Sequence, residues 1–347
     1  MNKTFTASLV ILISAGLCLG LMEVVCRVMY TIKMDYQVEM SKYAATVKRA
    51  SENFNVGHEH RPNQKETLMG VEFRTNAHGF RGGDYPLEKS AGAYRVMLLG
   101  DSLTVGWGAK EEDLFATRLE TSLKEYFKKN GIPQTPQVIN TGVGNYNTDQ
   151  QVSFFEWRGR AFKPDMVILN YFINDAEPTP RQKSPFIIKY SYLAMLLWGR
   201  VDTFRRMYIS GERYDNYYAN LYRDDADGWR GMKEAIGRLA NLSKEEGGFR
   251  LVVALLPELH AVGPKYGFAD IYGKVEKASR GVGVKEVVDL SPRFAGEKPE
   301  SLWVSPDDAH PNGKAHRIIA DGLFEYITEH GLLPAGDAGK QVAAGKK

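Results

Sequence analysis

Short apolar runs alternate with amphipathic segments along most of this chain, and that alternation constrains the fold more than any other feature. Val96 to Leu99, Val138 to Asn140, Met166 to Asn170, Leu251 to Leu256 and Val287 to Leu290 read as buried strands. Between and after them, 113–129, 149–162, 228–246, 271–280 and 313–330 carry the spacing of helices. Strand and helix taking turns predict βαβ units, hence a parallel sheet covered on both faces. In such a sheet the carboxyl ends of the strands open onto the crevice where ligands bind. Chemistry is therefore to be sought in the loops that follow the strands.

Four segments fall outside that rhythm. Phe5 to Met22 is uncharged and mostly apolar over about the length that crosses a bilayer. Glu23, Val24, Val25, Cys26 and Arg27 follow it where a cleaved leader would carry small residues, so residues 1–30 read as an uncleaved anchor. A lipidated Cys18 is set aside because Leu17 precedes it. Residues 31–74 look like a polar stalk, 177–225 form an aromatic-rich insertion expected to be a packed lid, with a sugar platform as the alternative, and 335–347 read as a disordered tail. The expected order is anchor, stalk, one domain over 75–334, tail.

The 45 basic and 42 acidic residues are intermixed, so nucleic acid is not an expected partner. Both cysteines, Cys18 and Cys26, lie in the apolar segment and leave no thiolate metal site elsewhere. Basic residues flank the apolar run on both sides, but long domains translocate largely regardless of such charges. An extracytoplasmic domain on a single-pass inner-membrane anchor is the expectation.

The first strand runs into Gly100-Asp101-Ser102-Leu103. By itself this reads equally as a nucleophile at a strand end or as a helix N-cap. Near the other end of the chain stands Ser305-Pro306-Asp307-Asp308-Ala309-His310-Pro311-Asn312, just before the last helix. A hydroxyl needs an adjacent base, and that base needs a third group to fix its tautomer. His310 can take the Ser102 proton, and Asp307 can curl under the loop to hold the imidazole; Asp308 can exchange roles with it. Acyl chemistry also needs donors aimed at an oxyanion. The backbone near Gly144 and Asn145, after the second strand, and the amide of Asn174, after the third, can supply them with the Ser102 N–H.

In this order the four segments resemble the four blocks of the SGNH hydrolase family, over about 75–330. The resemblance implies a flavodoxin-like three-layer α/β/α sandwich and cofactor-free, metal-free acyl transfer through a serine ester. It assigns Ser102, His310 and Asp307 to the triad, and the Ser102 amide, Asn145 and Asn174 to the oxyanion hole. Two departures stand out. The family's second-block glycine falls at Asn145, leaving open whether Gly144 or Asn145 turns its amide inward. Phe172 occupies the position of a third-block glycine. His58-Glu59-His60 lacks a third ligand at recognisable spacing, and His316 reads as a surface or packing residue.

The expected activity is an esterase acting on acyl esters, O-acetyl groups on a carbohydrate or lipid. The alternative is an O-acyltransferase that modifies a cell-envelope polysaccharide beside a multispanning acyltransferase. A catalytically inactive carbohydrate-binding module is the third reading.

Overall fold

The computed structural model describes residues 3–179, 186–204, 214–245 and 247–335. The tail expectation, from 336 on, and Tyr208 of the insertion lie outside the described residues. The chain divides into two compact units, 1–47 with 182–213, and 48–181 with 214–347.

The larger unit opens with two antiparallel hairpins, β1 (Lys48–Ala50) with β2 (His58–His60) and β3 (Lys65–Leu68) with β4 (Val71–Arg74). Five strands then form the parallel sheet: β5 (Ala93–Leu99), β6 (Thr135–Asn140), β7 (Met166–Tyr171), β8 (Arg250–Leu255) and β9 (Glu286–Asp289). Their order across the sheet, β6-β5-β7-β8-β9, is the flavodoxin-like one that the family resemblance implies. All seven residues of β5 and all six of β7 are buried, as a sheet covered on both faces requires.

The short α3 (Ser102–Val105) follows β5. The larger helices are α4 (Phe115–Lys129), α5 (Thr148–Trp157), α8 (Asp227–Leu242), α9 (Ala269–Gly281) and α10 (Gly313–Glu329), with α7 (Tyr214–Leu221) before α8. Apart from α5, buried at every position from Gln150 to Phe155, the long ones each bury one stripe. In α8 this is Trp229, Met232, Ala235, Ile236, Leu239 and Ala240, at helical spacing. Each large aliphatic side chain so placed contributes about 2 kcal/mol by leaving water. The hairpin β10 (Trp303–Ser305) and β11 (Asp308–Pro311) precedes α10, whose N-cap Asn312 accepts from the Lys314 and Ala315 amides.

The smaller unit holds α1 (Lys3–Ile32), α2 (Tyr36–Thr46) and α6 (Tyr192–Phe204). Helix α1 is long and apolar enough to cross a membrane.

Two expectations are corrected. Residues 48–74 are no stalk: Val56, Glu59, His60 and Phe73 are buried, and Val56 belongs to the main core. Strands of three and four residues are too short for any burial pattern to stand out from polar coil. Nor is the insertion a single packed lid. Tyr217, Tyr218 and Tyr222 belong to the larger unit, where Tyr218 meets Phe268 and Tyr222 meets Trp229, whereas Tyr190, Tyr192 and Trp198 belong to the smaller.

Candidate active site

Ser102 is the first residue of α3, immediately beyond the carboxyl end of β5. Asp101 caps it, accepting from the Leu103 amide at 2.9 Å. The turn is tight enough to demand glycine before it, since a Cβ on Gly100 would come within 1.9 Å of Thr104 Oγ1. As the first amide of its helix, the Ser102 N–H has no intrahelical acceptor and is free to face a ligand. Buried Arg81 fixes the loop after α3 by donating to the carbonyls of Val105 at 2.9 Å, Ala109 at 2.6 Å, and Gly106. That loop carries Trp107.

His310 Nε2 lies 2.8 Å from Ser102 Oγ. Its Nδ1 lies 2.5 Å from Asp308 Oδ1, and the Trp107 indole N–H donates to Asp308 Oδ2 at 3.0 Å. A carboxylate can only accept, so Nδ1 carries the ring proton and Nε2 is left as the acceptor for the Ser102 hydroxyl. Burial by itself would raise the Asp308 carboxyl. The hydrogen bonds from His310 and Trp107 outweigh it and hold that carboxyl below its ordinary value, hence ionised.

Asp308, not Asp307, therefore stands against the imidazole. The reason is strand geometry. Pro306 and Asp307 form the two-residue tip between paired Ser305 and Asp308, so Asp308 is the first residue of β11. Residues two apart on a strand share a face, which puts Asp308 beside His310 and leaves Asp307 exposed at the tip. The Asp-x-x-His spacing that the family resemblance implies carries no such strand period.

The second-block loop is stitched to the serine turn. Asn140 Nδ2 donates to Thr104 O at 2.7 Å, and the Val143 amide to Gly100 O at 3.2 Å. A Cβ on Gly142 would approach the Val105 nitrogen to 2.4 Å. Asn145 adopts φ +67°, a left-handed conformation that glycine takes freely and asparagine tolerates. Asparagine at the place of the family's glycine thus preserves the backbone. Lys48 donates to Gly144 O at 2.5 Å and Asn145 Oδ1 at 2.9 Å, and His58 Nε2 donates to the same carbonyl at 3.1 Å. Burial pulls the Lys48 ammonium down to about 7, and burial with the Lys48 charge pulls His58 down to about 3. No sequence signal pointed to Lys48 or Trp107, because each acts through a partner nearly a hundred residues or more away.

Asn174 lies in the single turn Ile173–Ala176 that follows β7, and its side-chain Oδ1 is buried without a hydrogen-bond partner among the described residues. Half-buried Phe172 stands just before that turn. The other set-aside residues have structural partners. Glu59 pairs with Arg49 and Arg158, His60 donates to Gly79 O, and buried His316 accepts from the Phe115 amide at 3.2 Å.

Behind the serine sit two buried carboxyls. Asp175 accepts from Gln151 Nε2 at 3.0 Å, Thr148 Oγ1 at 3.2 Å and the Phe172 amide at 3.3 Å. Burial pushes Asp101 up to about 6, and burial followed by the Asp101 charge pushes Asp175 well above the usual carboxylate range. The folded state then holds a proton on Asp175 that the unfolded chain releases above about pH 4. Wild-type stability contains a term that declines as pH rises from that point, and Asp175→Asn removes it. Between pH 5 and 8 the melting temperature of Asp175→Asn relative to wild type should therefore move in the variant's favour. A difference that stays constant with pH would show that Asp175 is ionised in the fold.

A serine hydroxyl on a carboxylate-backed imidazole, at the carboxyl edge of a parallel sheet, has the geometry of an α/β serine hydrolase. The comparison with known families agrees: the model of the GDSL-like Lipase/Acylhydrolase family matches residues 98–318, so the chain belongs to that family and is a serine hydrolase acting on esters. No curated protein matches it. Among solved structures it is similar to LAE5, an alpha/beta hydrolase enzyme from the metagenome of Lake Arreo, Spain. Identity is 16%, coverage 69% of this chain and 96% of that one, and the TM-score 0.43. A two-domain esterase (CEX) active on acetylated mannans gives 16%, 69% and 50%, and 0.45. Axe2, an acetylxylan esterase from Geobacillus stearothermophilus, gives 14%, 69% and 96%, and 0.43.

Proposed function

We propose that this chain is a membrane-anchored, extracytoplasmic esterase that removes small acyl groups, O-acetyl esters of a carbohydrate or lipid, through an acyl-enzyme on Ser102. The observation that carries the reading is the 2.8 Å contact between Ser102 Oγ and His310 Nε2, with Asp308 on the other ring nitrogen. His310 takes the hydroxyl proton as Oγ adds to the ester carbonyl, then gives it to the departing alkoxide. Water repeats the addition on the acyl-enzyme, His310 again accepting a proton, and Ser102 is restored. Asp308, held by Trp107, keeps the ring in the productive tautomer and stabilises the imidazolium. The Ser102 N–H, the second-block amide at Gly144 or Asn145 and the Asn174 amide receive the oxyanion. Helix α1 serves as the anchor, and 75–334 as the catalytic domain with support from 48–74.

The test is turnover of an aryl acetate and of acetylated polysaccharide by the full-length protein in detergent, with released acetate measured. Acetate release supports the esterase reading. Acyl transfer to added glycan in preference to water supports the acyltransferase alternative, and binding without turnover supports the inactive module.

Asn174 has its own test. A donor to a developing oxyanion stabilises the transition state more than the ground state, so its loss appears mainly in kcat. Asn174→Ala should cost about a hundred-fold to a thousand-fold. Asn174→Asp, which places a negative charge where another must form, should be at least as damaging. If Asn174→Ala lowers the melting temperature but leaves turnover of the folded fraction unchanged, the residue is structural.

A further inference from the structure

Within the smaller unit, the apolar helix and part of the insertion are fastened together. Glu23 of α1 accepts from Ser191 Oγ at 2.8 Å and from the Tyr192 and Leu193 amides at 3.0 and 2.9 Å, which caps the amino terminus of α6. Arg27 donates to Tyr190 O at 2.9 Å and lies 4.5 Å from the centre of the Tyr192 ring. Val38 of α2, Ile188 and Met195 make a small core of their own, with Tyr30, Tyr192 and Leu196 against it. One side of α6 is thus accounted for. On the other, Leu197, Trp198 and Val201 are about half exposed, with Ile187 and Tyr190 exposed just before the helix.

Length decides the depth at which α6 lies. The 30 residues of α1 extend about 45 Å, whereas the hydrocarbon of a bilayer is about 30 Å thick and takes about 20 residues. With Phe5 to Met22 filling it, Glu23 and Arg27 fall at the headgroup level. The 13 residues of α6 reach only about 20 Å and cannot cross. Exposed Trp198 on α6 and exposed Tyr190 just before it suit the boundary, the level that Trp and Tyr favour, and exposed Arg200 can extend to the phosphates.

We propose that residues 187–201 form a second membrane contact, an interfacial segment whose face of Ile187, Leu197, Trp198 and Val201 inserts into the headgroup and upper acyl region of a phospholipid bilayer, beside the exit of α1. This rests on the reading of α1 as a membrane span. It makes the insertion a device that fixes the anchor's far end in the plane of the bilayer.

The test uses the full chain with Cys18→Ser and Cys26→Ser, reconstituted in phosphatidylcholine–phosphatidylglycerol vesicles. Single cysteines are introduced by Leu197→Cys, Val201→Cys, Leu12→Cys within the span, and Lys277→Cys at an exposed position of α9, and each is labelled with bimane. Quenching is read from doxyl-bearing lipids and from aqueous iodide. Labels at 197 and 201 should be quenched by shallow doxyl lipids severalfold more than the label at 277, and shielded from iodide. If those two behave like 277 while the label at 12 is quenched by deep doxyl lipids, the interfacial contact is wrong and the anchor stands. If the label at 12 is also quenched by iodide, the anchor reading falls and takes this inference with it.

Discussion

Ser102→Ala is expected to abolish ester turnover, roughly a million-fold in kcat, because triad members act as a unit and loss of the nucleophile costs about as much as loss of all three. What remains is binding and the oxyanion donors. The variant should fold as the parent does. The Ser102 hydroxyl makes its side-chain hydrogen bond to His310, and deleting one such partly exposed bond costs about 1 kcal/mol. Helix α3 keeps its cap, since Asp101 and not Ser102 supplies the capping carboxylate. Paired kinetics and melting curves on the purified full chain read both quantities. Retained turnover in a folded Ser102→Ala protein would remove the nucleophile from the account.

The second large effect separates two neighbouring acids. Asp308→Asn should lower kcat by about ten thousand-fold, the order seen when the orienting carboxylate of a triad becomes an amide. The local hydrogen bonds give the reason. Oδ2 of Asp308 accepts from the Trp107 indole, and Oδ1 from both His310 Nδ1 and the His310 backbone amide. An amide has one accepting end. If its oxygen faces Trp107, its NH2 faces His310 and favours the tautomer with the proton on Nε2, which cannot accept from Ser102. If it faces His310, the indole N–H is left buried against another donor, at a cost of about 1 to 3 kcal/mol. Asp307→Asn, at the exposed hairpin tip, should change stability by no more than about 0.5 kcal/mol and leave turnover near the parent's. The reverse pattern, Asp307→Asn crippling and Asp308→Asn mild, would mean that the hairpin register differs in the working enzyme.

Much of the fold was legible because a parallel sheet writes itself into the sequence as uninterrupted apolar runs. Met166 to Tyr171 is buried at every position, and no polar alternation obscures it. Helices α4, α8, α9 and α10 were legible because each buries a stripe at a period near 3.6. Ser102, His310 and the glycine-containing loop at Asn140 to Thr148 were legible because each stands at a strand's carboxyl end or before a helix.

What was hidden depends on long-range contacts or on very short elements. The hairpin β10–β11 has strands of three and four residues, so nothing in the sequence distinguished it from a loop, and the acid was placed by loop reasoning. Lys48, Trp107 and Arg81 serve the site through contacts fixed only by the tertiary fold. The insertion 177–225 is divided between two units, and its composition, rich in tyrosine throughout, gave no mark of where the division falls.

The central claim is that Ser102 carries the acyl group between donor and water. The most direct measurement is to quench the full-length enzyme in acid during turnover of an aryl acetate, digest it, and locate the acetyl group by mass spectrometry. One acetyl group on the peptide containing Ser102, absent from Ser102→Ala and from His310→Ala treated alike, is the predicted result. An acetyl group on another residue, formed at the rate of turnover and persisting in Ser102→Ala, would contradict it.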